Sequence, residues 1–207
     1  MSILIVGTVA FDAIETPLGK TDKIVGGAAT YISLAASFFS KKLNLISVVG
    51  DDFPKDAIDT LQKHNVDVKG LQIKEGEKTF FWSGKYHNDM NTRDTIETQL
   101  NVLETFDPIV PEEYQNSEFL MLGNLMPSVQ KKVLNQMQKK PKLIVLDTMN
   151  FWMDHFLEDL KKALKEVDVL TINDEEARQL SKEYSLVKAA KKIQEMGPKY
   201  LVIKKGE

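Results

Sequence analysis

The chain has 207 residues, with 27 Lys and Arg against 30 Asp and Glu, a formal charge of −3, and 43% hydrophobic residues. This globular composition excludes a disordered tail, a collagen-like fibre and a disulfide-stapled miniprotein. The small negative charge argues against nucleic-acid or membrane partners, because proteins of those classes normally carry a basic stripe. The sequence has no cysteine, so thiolate chemistry is excluded and a cytoplasmic location is expected.

Short apolar runs rich in Val, Ile and Leu recur along the chain and are typical of strands covered on both faces. The predicted strands are residues 2–7, 43–49, 118–123, 142–148, 167–173 and 200–204. The predicted helices are residues 28–41, 54–64, 128–139, 154–165, 174–182 and 186–196. Because strand and helix alternate, the sequence predicts an α/β fold with a doubly wound, mostly parallel sheet and helices on both faces.

Two segments, residues 14–25 and 70–98, interrupt this alternation. The longer one contains three stretches with strand chemistry, separated by turn residues. These stretches are residues 71–74, 79–86 and 92–98. We interpret residues 1–207 as a single domain in which the two segments form a small β-sheet lid over the crevice at the carboxyl ends of the strands.

A carboxylate and a pair of glycines are the first candidate site residues. Asp12 lies just past the first predicted strand, where open α/β sheets bind ligands, and its carboxylate can accept two hydroxyl hydrogen bonds from a polyol. The alternative is a turn or capping aspartate. Gly26 and Gly27 open a predicted helix, where they allow close backbone approach and where the helix N-terminus offers free N–H donors. The alternative there is a tight turn with small-residue packing.

Acidic and amide side chains also follow two later predicted strands. Asp147 and Asn150 come after one strand, and Asn173 and Glu176 come after the next. The carboxyl ends of parallel strands meet at one edge of a sheet, so these groups are expected to converge there. A helix cap is the competing interpretation for each of them. Clustered carboxylates beside a phosphate position are suited to Mg²⁺, which prefers oxygen ligands and keeps several waters.

The order and spacing of the motifs resemble the ribokinase-like (PfkB) carbohydrate kinases over essentially the whole chain. The matching segments are Gly7-x-x-x-x-Asp12, Gly26-Gly27-Ala28-Ala29, Val48-Val49-Gly50-Asp51-Asp52-Phe53, Asn65-Val66-Asp67, Lys78-Thr79, Asp147-Thr148-Met149-Asn150 and Asn173-Asp174-Glu175-Glu176. Each segment is weak evidence alone, and the resemblance depends on their common order.

The resemblance implies an enzyme, a kinase that transfers a phosphoryl group from ATP to a hydroxyl of a sugar or nucleoside. It implies that Asp12, Gly26 and Gly27 bind the substrate. Asn173 and Glu176 would organise phosphate, water and Mg²⁺, with Glu176 reaching the metal through water. Asp147 and Asn150 are further candidates at the same edge. The lid would exclude water and so limit wasteful hydrolysis of ATP.

The sequence departs from the family pattern at two places. Tyr31, or Thr30 if the alignment slips by one, stands where the first signature carries an asparagine, and an aromatic ring at that place either stacks on a ligand ring or simply packs. The second signature, Gly-Ala-Gly-Asp, supplies the catalytic base and an anion hole, and it occurs nowhere in the 207 residues.

The resemblance therefore places the base and the C-terminal part of the fold beyond Glu207, and the catalytic residue is unknown. We expect a truncated kinase whose isolated chain is inactive. The alternative is a non-catalytic sugar- or nucleoside-binding regulatory protein on the same fold. Because an apolar lid face with Phe80, Trp82 and Tyr86 must be covered by substrate or by a second copy, we also expect a lid-mediated homodimer.

Overall fold

The structure is a computed structural model that describes residues 1–90 and 92–206. It divides the chain into two compact units: a first unit of Met1–Val6 with Val110–Glu207, and a second unit of Gly7–Ile109. Asn91, inside the predicted lid segment 70–98, and Glu207, beyond which the catalytic base is expected, lie outside the described residues. The interpretation of residues 1–207 as one domain stays a prediction.

The strands and helices follow one another along the chain with short connections. The strands are β1 Ser2–Val6, β2 Ala10–Thr16, β3 Gly19–Lys20, β4 Ile24–Gly26, β5 Lys42–Gly50, β6 Val66–Lys74, β7 Phe81–Tyr86, β8 Arg93–Gln99, β9 Phe119–Leu122, β10 Leu143–Asp147, β11 Val169–Asn173 and β12 Tyr200–Lys204. The helices are α1 Ala28–Ser37, α2 Lys55–Lys63, α3 Pro127–Gln136, α4 Asn150–His155, α5 Leu157–Leu164, α6 Asp174–Ser181 and α7 Leu186–Gln194. Two short 3₁₀ helices span Asn101–Leu103 and Glu112–Tyr114. Among these described helices, none has both the length and the hydropathy needed to cross a membrane.

The first unit is built on parallel strands in the order β12-β11-β10-β9-β1. Alternate side chains of these strands, such as Leu120, Leu146 and Leu170, are fully or almost fully buried. Their burial accounts for the apolar runs in the sequence, since a strand covered on both faces reads as a continuous hydrophobic stretch. Asp147, Asn173 and Lys204 end their strands at the same edge of the sheet.

The second unit contains the parallel pair β5 and β6 together with α1 and α2. Residues 71–74, which the sequence placed in the lid, instead complete β6, and their register on β5 runs to the pair Gly50 and Lys74. The partial alternation of apolar and polar residues in this stretch reflects its exposure rather than a separate sheet, because Ile73 is exposed.

The second unit also carries a small mixed sheet in the order β3-β2-β7-β8, with β4 paired to β2. Strands β2 and β7 run parallel, and the other pairs are antiparallel. This sheet takes in β2 from Ala10 onward, so Asp12 lies on a strand of the small sheet rather than in a turn. The predicted fold class, a doubly wound, mostly parallel α/β sheet with a separate small β-sheet, is confirmed.

Thr79, which is fully buried just before β7, joins three parts of the second unit. Its hydroxyl donates to Asp52 Oδ1 at 2.6 Å and accepts from the Gly50 N–H at 3.0 Å. Its own N–H donates to the same Asp52 oxygen at 2.8 Å, and its carbonyl accepts from Asn101 Nδ2 at 2.9 Å. The end of β5, the entry to β7 and the exit from β8 are therefore fixed at one point.

The Asp52 carboxylate at this point is held in its ionised form. Burial alone would raise the pKa of Asp52, but the hydrogen bonds from Thr79 and the ammonium of Lys23, 3.3 Å from Oδ2, outweigh burial and hold the pKa below its ordinary value. The same ammonium lies 3.9 Å from the centre of the Phe11 ring, which packs against Phe53 with ring centres 5.3 Å apart.

Replacing Thr79 with Val is expected to lower the free energy of unfolding by about 1–3 kcal/mol, because it leaves a buried N–H at Gly50 without its acceptor and removes the hydroxyl donor to Asp52. Urea denaturation followed by circular dichroism measures the change. Thr79→Ser keeps the hydroxyl and is the matched control, with a loss well below that of Thr79→Val. Equal losses in both variants would show that the hydroxyl does not stabilise this junction.

Candidate functional site

Asp12 lies in the middle of β2, between Ile24 on β4 and Trp82 on β7 in the strand register. Its side chain is half-buried. Burial raises the pKa of this carboxyl, and a hydrogen bond from the Gly27 N–H partly opposes the rise. Among the described residues no cation pairs with it, so Asp12 keeps acceptor capacity that the protein does not use.

Gly26 and Gly27 are required at their positions by space and by backbone conformation. A Cβ at Gly26 would lie 2.1 Å from Asp12 Oδ2, so any side chain there would displace the carboxylate. Gly27 has φ +91°, and a Cβ there would lie 2.4 Å from the carbonyl oxygen of Thr8. This is the tight turn with close packing that was the competing interpretation, and an approach of this backbone to a ligand stays a prediction.

The expectation of free N–H donors at the start of α1 is wrong for its first residues. The N–H of Ala28 donates to Thr8 Oγ1 at 2.9 Å, and the N–H of Ala29 donates to the Thr8 carbonyl at 2.9 Å. The Gly27 N–H is taken by Asp12. Thr8 therefore caps the N-terminus of α1 although it is not part of the helix. The sequence gives no sign of this role, because Thr8 precedes the helix by some twenty positions.

Tyr31, at the end of the first turn of α1, has 56% of its surface exposed. Its hydroxyl lies 3.5 Å from the Val25 carbonyl, at the limit of a hydrogen bond. Thr30, the other position considered for the asparagine of the first signature, is buried and donates its hydroxyl to the Gly26 carbonyl at 2.7 Å. Thr30 therefore stabilises the glycine turn, and a ligand contact by Tyr31 stays a prediction.

In the first unit, Asp147 ends β10 and lies half-buried beside two side chains of the neighbouring strands. Its Oδ1 accepts from Thr171 Oγ1 at 3.3 Å and lies 3.4 Å from Lys204 Nζ. Burial raises the pKa of Asp147, while the ammonium of Lys204 and the hydroxyl of Thr171 oppose the rise. Sequence reasoning missed Lys204, because only the register of β12 on β11 brings it to this carboxylate.

Asn173 and Glu176 form a capping box at the start of α6. The Glu176 N–H donates to Asn173 Oδ1 at 2.7 Å, and the Asn173 N–H donates to Glu176 Oε2 at 2.8 Å. Glu176 is only 3% exposed. The capping interpretation is thus confirmed, whereas a role in organising phosphate or water stays a prediction.

Asn150 begins α4, a short helix that the sequence pattern did not predict. Its Nδ2 donates to Gln179 Oε1 at 2.5 Å, and Gln179 Nε2 donates to Asp154 Oδ1 at 2.8 Å. These bonds tie α4 to α6. Trp152 on α4 is buried and donates its indole N–H to Asn124 Oδ1 at 2.7 Å.

The structure therefore brings together two sets of predicted residues, one in each unit. Asp12 lies against Gly26 and Gly27 in the second unit, and Asn173 pairs with Glu176 in the first. Within residues 1–90 and 92–206, no three His, Cys, Asp or Glu side chains are grouped so that they could hold a metal ion. The contact of Glu176 with Mg²⁺ through water stays a prediction.

Known proteins resemble the chain in sequence and in fold. The cytidine kinase of Thermococcus kodakarensis is 26% identical over 211 residues, which cover 100% of this chain and 74% of that protein. The fructokinase of Halothermothrix orenii matches with a TM-score of 0.78 and 16% identity, over 100% of this chain and 80% of that one. The ribokinase of Cryptococcus neoformans var. grubii in complex with ADP matches with a TM-score of 0.76 and 19% identity, over 99% of this chain and 73% of that one.

At such low identity the two solved structures establish the fold alone. The family itself is established by sequence, since the model described as pfkB family carbohydrate kinase matches residues 2–207. The order of the sequence motifs and the structural neighbours agree with that match. The chain therefore belongs to the pfkB family of carbohydrate kinases.

Proposed function

We propose that this chain binds a sugar or nucleoside through Asp12 and belongs to a kinase that transfers a phosphoryl group from ATP to a hydroxyl of that ligand. The observation that carries the proposal is the Asp12 carboxylate, half-buried with a raised pKa and no cation partner among the described residues. A carboxylate in this state costs folding free energy, and a ligand that donates hydrogen bonds to it offsets the cost.

The ligand class follows from the chemistry of this group. An ionised carboxylate only accepts hydrogen bonds, and it has about four lone-pair sites on two oxygens. The Gly27 N–H uses one of them. Neighbouring hydroxyls of a sugar ring can donate to the others, so Asp12 is suited to a polyol or to the ribose of a nucleoside. The cytidine kinase relative fits the second choice.

We assign the small sheet the role of a lid. Asp12 belongs to that sheet, so a ligand held by Asp12 contacts a surface formed by β2 and β7. Covering the ligand in this way excludes water, which otherwise competes as the phosphoryl acceptor. The similarity to a ribokinase in complex with ADP supports ATP as the donor.

For the binding of phosphate, we propose that Asn173 and Glu176 act by fixing the start of α6. Asp147 and Asn150 would order the end of β10 and helix α4. The ligand-facing roles that the family resemblance gives these residues stay predictions. No step is assigned to Mg²⁺, and its contact with Glu176 through water stays a prediction.

Replacing Asp12 with Asn is expected to weaken binding of the ligand about 10-fold or more, since the charged acceptor is lost. The ligand-free variant is expected to melt at a higher temperature than the wild type at pH 7. A raised pKa means that the wild-type carboxyl is best tolerated when protonated, so the advantage of the variant should shrink as the pH falls through that pKa.

Thermal-shift and calorimetric titrations with cytidine and ribose measure both effects. Asp56→Asn, the same exchange at an exposed residue in the first turn of α2, is the matched control for binding and should leave the affinity unchanged. Unchanged ligand affinity in Asp12→Asn would remove Asp12 from the binding site.

The general base that the family resemblance assigns to Gly-Ala-Gly-Asp is not among the 207 residues, which lack that sequence. The isolated chain is therefore expected to bind its ligand without releasing ADP above background. A coupled ADP-release assay with ATP, Mg²⁺ and a panel of sugars and nucleosides checks this. Robust turnover stimulated by one of these substrates would mean that a described residue serves as the base.

We also propose that two copies associate through their small sheets, where Leu18 and Ile96 are exposed. Light scattering at micromolar concentration is expected to give the mass of a dimer. Ile96→Glu should shift the mass towards the monomer, because a carboxylate is costly to bury in an apolar contact. Ile109→Glu, at an exposed isoleucine outside the small sheet, is the control and should leave the mass unchanged. A monomeric wild type would refute the association.

A further inference from the structure

Trp82 is the register neighbour of Asp12 in the parallel pair of β2 and β7. Register neighbours project from the same face of a sheet, and adjacent strands lie about 4.8 Å apart. Asp12 and Trp82 therefore share one face of the small sheet, with the carboxylate turned towards Gly26 and the indole lying over Gly84 with its N–H towards Thr95. A ligand whose hydroxyls are bound by Asp12 and which extends across β7 meets the indole there.

The neighbours of Asp12 on β2 and β4 are poor in hydrogen-bonding side chains, whereas the neighbours of Trp82 and Gly84 on β8 are Thr98 and Thr95. Ile14 follows Asp12 on the same face of β2, and Ile24 is the neighbour of Asp12 on β4. Gly84 follows Trp82 on β7 and has no side chain. A polyol with hydroxyls on every carbon would need several polar partners here, whereas a ligand with a flat apolar ring would not.

The indole of Trp82 is accommodated by Gly84. A Cβ at Gly84 would lie 2.1 Å from Trp82 Cη2, so the six-membered ring covers the glycine and would be displaced by any side chain there. The indole N–H is 3.3 Å from Thr95 Oγ1, a long hydrogen bond that holds the ring only weakly. The ring is half-buried, so part of its surface stays available for contact.

We propose that Trp82 determines the specificity of this site by packing its indole against the base of a nucleoside whose ribose hydroxyls bind Asp12. The inference rests on the proposed function and narrows its substrate class from sugar or nucleoside to nucleoside. Tyr31, the aromatic residue first considered for a stacking role, lies on helix α1, whereas Trp82 is the direct strand neighbour of Asp12. Base–aromatic stacking is strong enough to set such a preference.

Intrinsic fluorescence tests the contact directly, because the chain has two tryptophans and Trp152 is only 5% exposed. Cytidine is expected to change the emission of the wild type, and Trp82→Phe should abolish most of that change. By calorimetry, Trp82→Leu, which keeps an apolar cover over Gly84, should weaken cytidine binding about 10-fold or more and ribose binding less than about 2-fold. Trp82→Phe should recover part of the cytidine affinity, since it restores an aromatic face.

Phe81→Leu is the matched control, because Phe81 is the next residue on β7 and projects from the opposite face. It should change neither affinity more than about 2-fold. Equal weakening of cytidine and ribose by Trp82→Leu, or no weakening of either, would overturn the role of Trp82. Wild-type binding of ribose with no preference for cytidine would also overturn it while leaving the proposed function intact. Wild-type binding of neither a sugar nor a nucleoside would overturn both.

Discussion

The Asp12 carboxylate leaves no room for a side chain at Gly26, and the Thr8 carbonyl leaves none at Gly27. The rest of this region follows from that constraint. Strand β4 must end in glycine, α1 must begin beside it, and Thr8 must supply the acceptors that cap the helix. The arrangement keeps a charge in a half-buried place where the protein gives it one backbone donor. The half-buried charge is a cost to folding, and it leaves acceptor capacity on the carboxylate that the described residues do not use.

The strand ends of the first unit show the opposite electrostatic arrangement. Asp147 has Thr171 and the ammonium of Lys204 beside it, and Asn173 and Glu176 satisfy each other's backbone donors. Here the polar groups are neutralised or bonded within the protein before any ligand binds. The two units therefore differ in their electrostatics: one has a carboxylate with a single backbone donor and no cation partner among the described residues, and the other has an ordered framework of strand and helix ends.

The sequence was sufficient to predict the main strands and helices, because buried parallel strands and amphipathic helices leave strong patterns of apolar residues. It was insufficient where structure depends on pairing between distant segments. Residues 71–74 alternate like a lid strand but pair with β5, and Lys204 meets Asp147 only through the register of β12. Helix α4 is too short for a helical period and is held by Trp152 and Asn150. Asp12 was predicted from its position just after the first strand. Placing Trp82 next to Asp12 required the register of β2 and β7.

The junction at Thr79 has a mechanical consequence for the hairpin of β7 and β8. Its two ends are clamped together, because Asn101 bonds the Thr79 carbonyl and the Val102 N–H bonds the Lys78 carbonyl at 3.1 Å. Strand β7 is also paired with β2 as far as Lys85, so it is held along both of its sides by the ladders to β2 and β8. Trp82 lies close to the clamp and between these two ladders, so its backbone is fixed from three directions.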